Sequence, residues 1–147
     1  MALADVPVEN DEHLARMILT DKYVVKDTKT GKQKPKAEAF LPFSHVTLSV
    51  IRHREITEPE LWEIGREVSS KREAGDKHGR KFPLVGRGDF LARNAREQKL
   101  DVKPVEGLGL PRNHADVIGW PSEKPAQMMR AIQLAACAIF VATPSRV

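Results

Sequence analysis

Residues 39–54, AFLPFSHVTLSVIRHR, decide how this chain is read. From His45 the side chains alternate: Val46, Leu48 and Val50 fall on one side of an extended backbone, His45, Thr47 and Ser49 on the other. Period-two alternation rich in β-branched residues marks a half-buried strand. The stretch predicts a strand with one apolar face toward a core and a stripe of His, Thr and Ser across its open face, with Arg52 at its end.

C-terminal to that strand, Thr57 and Glu60 form a T-x-x-E capping box, flanked by Ile56 and Leu61 at the staple positions. Pro59 falls in the first turn, where its missing N–H is harmless. The pattern predicts a helix over 58–72 that packs on the sheet through Leu61, Ile64 and Val68. Residues 73–81, EAGDKHGRK, read as a polar loop. Asp89 is placed to cap a second helix at 90–99 with Phe90, Leu91 and Ala95 inward. The RGD string at 87–89 reads as coincidence. Residues 100–105 and 113–120 read as strands, with the glycine-containing turn EGLGLP between them. Ser122 caps a final helix at 123–142 that is apolar on nearly every side from Ala131 onward. Such a helix is central to its own domain or shared with another chain.

N-terminal to the strand, Lys26–Lys36 holds five lysines and one aspartate around Thr30-Gly31, the composition of an exposed hairpin turn. Tyr23–Val25 reads as a short strand. Leu14, Met17 and Ile18 share one face of a helix expected at 11–20, and residues 1–9 read as a loose arm. The sum is one α/β domain of the α+β kind over 10–147, a small mixed sheet with about four helices packed on it.

A chain of 147 residues has room for one such core. The single cysteine, Cys137, excludes an internal disulfide and any cysteine-based zinc cluster, and its alanine neighbours predict a buried small hydrophobe. The acidic amino end lacks the pattern of a signal peptide, and the apolar run 131–142 is too short to span a bilayer, so a cytoplasmic protein with no membrane partner is expected. A net charge of +4 favours an anionic partner mildly.

Chemistry gathers on two of five histidines. His45 and His114 each open a predicted strand and each has a hydrogen-bonding residue two positions on, Thr47 and Asp116. Alternation puts each pair on one sheet face. Two imidazoles over one groove suit general acid–base chemistry on a phosphodiester, and Arg52, Arg54 and Arg112 near the strand ends are placed to hold an anion. The string His45-Val46-Thr47-Leu48 resembles the first motif of the two-histidine phosphoesterases, His-x-Thr/Ser followed by an apolar residue. That resemblance implies a second copy, which here reads His114-Ala115-Asp116-Val117, with Asp in the hydroxyl position.

No metal motif, Walker A string or G-x-G-x-x-G occurs, so no metal and no cofactor is expected; Gly86-Arg87-Gly88 is too short to count. Lysines and arginines cluster in 26–36, 52–54, 71–81 and 87–99, but aromatic residues are only 5% of the chain, so stacking platforms are expected to be scarce. Two functional expectations follow. The chain acts by association, with a second copy or another protein through the C-terminal helix, or with a phosphate-bearing ligand such as RNA or a nucleotide. The alternative is a metal-independent phosphodiesterase or ribonuclease using His45 and His114.

Overall fold

Only part of the 39–54 stretch is strand. In the computed structural model, which describes residues 3–43 and 46–144, Ala37–Phe40 form a 3-10 turn. The chain then bends, Val46 N–H donating to the Phe43 carbonyl and Val46 taking a φ of 60°. The strand begins only at Leu48. In chain order the elements are β1 (His13–Ile18), β2 (Val24–Lys26), β3 (Gln33–Pro35), β4 (Leu48–Arg52), α1 (Glu58–Ala74), β5 (Gly86–Leu91), α2 (Ala92–Glu97), β6 (Asp101–Pro104), β7 (His114–Ile118), α3 (Lys124–Cys137) and β8 (Ile139–Ala142). The α+β class is as the sequence implies, with three α-helices rather than four.

Six strands form one sheet in the order β6-β7-β4-β1-β5-β8, and β2 and β3 form a separate hairpin around the lysine-rich turn. Every pairing in the large sheet is antiparallel. Two faces follow from the pleat. Ala15, Met17 and Ile51 pack under Leu61 and Ile64 of α1. Leu14, Ile18, Leu48, Val50 and Phe90 face the other way, in a larger core with Phe40 and with Ala131 and Leu134 of α3. The capping box forms: the Thr57 hydroxyl accepts from Glu60 N–H at 3.3 Å, and Glu60 Oε1 accepts from Thr57 N–H at 3.1 Å.

Four expectations are corrected. Residues 13–18 are a strand, not a helix. β1 lies in the middle of the sheet with α1 on one side and the larger core on the other, so Leu14, Ala15, Met17 and Ile18 are all buried and alternation is lost. The helix expected at 90–99 is a strand to Leu91 and only then α2; Leu91 N–H donates to Asn94 Oδ1 at 2.9 Å, and Asp89 is a strand residue. The final helix ends at Cys137, because Ile139–Ala142 leaves it to pair with β5. Among its apolar residues Ala131 and Leu134 are buried, Met129 and Ile132 are exposed, and Cys137 is exposed rather than buried.

Residues 3–9, the described part of the presumed arm, are fastened down. Val8 is in the core, and the carbonyls of Leu3, Val6 and Pro7 accept from the Arg52 guanidinium. Among the described residues no helix is long and apolar enough to cross a membrane.

Candidate functional site: a cationic groove

Where β1 and β4 part, past the Ala15–Ile51 pair, the sheet is not fully covered. The C-terminal half of α1, the segment 80–85, the turn 19–23 and the bend 38–43 leave a groove of about 1500 Å³ over β1 and β4. Arg16, Lys22, Lys71, Arg72, Arg80 and Lys81 line it, against the carboxylates of Asp21 and Glu38. Tyr23, Phe43 and Phe82 line it too, so three of the chain's few aromatic residues meet at one place that the sequence does not foretell.

Two of these arginines are held in place without a carboxylate partner. Arg16 is a partly buried β1 residue whose Nε donates to the Ala39 carbonyl at 2.9 Å and Nη1 to the Ser49 carbonyl at 3.0 Å. Burial pulls its pKa down to about 10, and the charge of Arg72 adds to that, with Tyr23 opposing. Arg72 sits between two rings, its guanidinium 5.0 Å from the Phe43 centroid and 4.9 Å from that of Phe82. Cation–π contacts fix such a group in place without neutralising it. Among the described residues neither Arg16 nor Arg72 is paired with a carboxylate. Arg80, by contrast, is bonded to Asp76 at 2.8 Å, and Lys71 donates to the Gly109 carbonyl.

The residues singled out in the sequence are scattered around this groove. His45 lies outside the described residues. Thr47 and His114 both line the groove wall. His114 pairs with Ile51 across the strands, is 6% exposed, and has its Nε2 3.4 Å from Asp116 Oδ1. Among the described residues its buried Nδ1 has no hydrogen-bond partner. Burial holds its pKa below the ordinary 6.5, against the opposing pull of Asp116 and the Val105 backbone.

The three arginines do not converge. Arg52 points to the other face of the sheet from His114 and is 1% exposed. Its five N–H groups go to Glu12, with Nη2–Oε2 at 3.0 Å, and to the carbonyls of Leu3, Val6 and Pro7, leaving none for an anion. Arg112 pairs with Glu60 at 2.7 Å. Arg54 is exposed in the turn after β4, where its carbonyl accepts from Asn113.

At the other end of α1 is a polar cluster that the sequence reading missed. Arg87 donates to Asp89 at 3.0 Å and to Glu58 at 2.7 Å, and lies 4.6 Å over the Trp62 ring. Asp89 is also 3.2 Å from His53 Nε2, and the His53 ring is 5.9 Å from that of His13. The signal was the two-residue spacing of Arg87 and Asp89, hidden once Asp89 is taken for a helix cap. Here two carboxylates hold one guanidinium, so the charges are met from within, unlike those of the groove. Among the described residues no three His, Cys, Asp or Glu side chains are placed to hold a metal ion. No family model matches the chain, and neither a curated protein nor a solved structure matches it.

Proposed function

We propose that the protein is a binding module for a phosphate-bearing ligand, RNA or a nucleotide, taken up in the cationic groove. The observation that carries this reading is the pair Arg16 and Arg72. Bringing two guanidinium groups together, one of them partly buried, costs free energy unless an anion lies between or beside them. A phosphate supplies that charge and accepts several N–H donors at once, the geometry that guanidinium groups favour. The test is thermal unfolding with inorganic polyphosphate. Wild type should gain several degrees, through preferential binding to the folded state, and Arg72→Gln should lose most of the gain. Equal behaviour of the two proteins would remove the reading.

A second reading rests on the unpartnered Nδ1 of His114 at the groove wall. A phosphodiester in the groove would lie beside Thr47 and the His114 side chain, and proton transfer to the neutral imidazole requires the wall to yield, because Nδ1 has no exposed surface. In this reading His45 supplies the second proton transfer. RNA hydrolysis in EDTA, lost in both His114→Ala and His45→Ala, would favour it; turnover that survives both substitutions would end it.

A further inference from the structure

We infer that the groove's ligand is a single-stranded polynucleotide, its phosphates on Arg16 and Arg72 and its bases against exposed aromatic rings beside them. This rests on the proposal that the groove binds phosphate, and adds which kind of phosphate compound it takes.

Size is the first argument. A volume of about 1500 Å³ exceeds the roughly 300–1,000 Å³ of small-ligand pockets. A mononucleotide would leave much of it to water. An open trough of this size suits a chain that enters at one end and leaves at the other.

The second argument is what stands beside the charges. Phe43 is 58% exposed and Tyr23 is 38% exposed, and neither belongs to the buried cores. Exposed rings on a groove wall are platforms for flat, apolar faces. Arg72 lies over Phe43 at 5.0 Å, and Tyr23 lines the same groove as Arg16. Rings and arginines without a carboxylate partner thus line one groove. A single strand offers a partner to both, a phosphate and then a base with an open face. A duplex keeps its base faces stacked inside, and polyphosphate has none. Neither could use the rings.

The test is fluorescence anisotropy with a labelled single-stranded RNA of about twelve nucleotides, within the usual range for one such groove. The same RNA annealed to its complement and inorganic polyphosphate serve as rivals. The single strand should bind about tenfold or more tighter than the duplex. Phe43→Ala, a change at an exposed site that leaves both cores intact, should weaken the single strand about fivefold or more. The same change should weaken polyphosphate binding much less, because Phe82 still holds Arg72. Arg72→Gln should weaken both. Duplex or polyphosphate binding as tight as the single strand, or a Phe43→Ala protein that binds it like wild type, overturns the inference while an Arg72 effect leaves the phosphate groove standing. If Arg72→Gln changes the binding of no polyanion, the phosphate groove itself is wrong and the inference falls with it.

Discussion

Arg52 shows how far a residue's type can be read without its surroundings. It ends a strand beside other arginines, and in sequence that reads as an anion site. In the fold it is 1% exposed, bonded to Glu12 and to three carbonyls of residues 3–7. What decides between the two roles is the N-terminal segment, forty or more positions away, and no local pattern announces it. Removing one partner of a buried pair strands the other, so Arg52→Met should lower stability by about 3–5 kcal/mol. Urea unfolding checks this; a loss under about 1 kcal/mol would mean that the pair contributes little. His114 was visible as chemistry, but its burial was not. Its folded pKa is depressed, so the unfolded chain takes up a proton near 6.5 that the folded chain refuses. Stability should therefore fall as the pH drops through 6.5, and a His114→Gln protein should lack that part of the fall.

At the scale of elements, legibility followed local signals. The α1 start was readable because a capping box is a contact between residues three apart. Glu60 there has its carboxyl pulled down to about 2, first by the Thr57 N–H, then by Arg112. A depressed carboxylate stabilises the fold above its ordinary 4.5 and loses that contribution as the pH falls toward 2. The melting temperature of Glu60→Gln should thus vary less with pH across that interval than that of wild type. β1 and β5 were misread for the opposite reason. Their assignment depends on neighbours from distant parts of the chain, and a strand buried on both faces has no alternation to show. The Gly86-Arg87-Gly88 string, too short for a phosphate loop, has a packing role. A Cβ at Gly88 would lie 2.8 Å from the Phe40 ring, and one at Gly86 would lie 2.6 Å from both the Phe140 ring and the Val141 carbonyl. The carbonyl belongs to the β5–β8 pairing and cannot swing aside. Gly86→Ala should destabilise the protein by about 1–3 kcal/mol in a chemical unfolding curve; an unchanged midpoint would show that β8 shifts freely.

On the scale of the whole molecule, the groove belongs to no single element. β1 contributes Arg16, α1 Arg72, the turn before β2 Tyr23, and the bend before β4 Phe43. These come from separate segments of the chain, so composition could give the excess of charge but not its focus. The lysine-rich turn between β2 and β3 is the stronger cationic signal in the sequence, and it lies on a separate hairpin with its side chains in solvent. The two places can be told apart directly by amide chemical-shift mapping during titration with inorganic polyphosphate. The groove account predicts saturable shifts centred on Arg16, Tyr23, Phe43 and Arg72. Shifts centred on residues 26–36, or spread evenly over the surface, would contradict it.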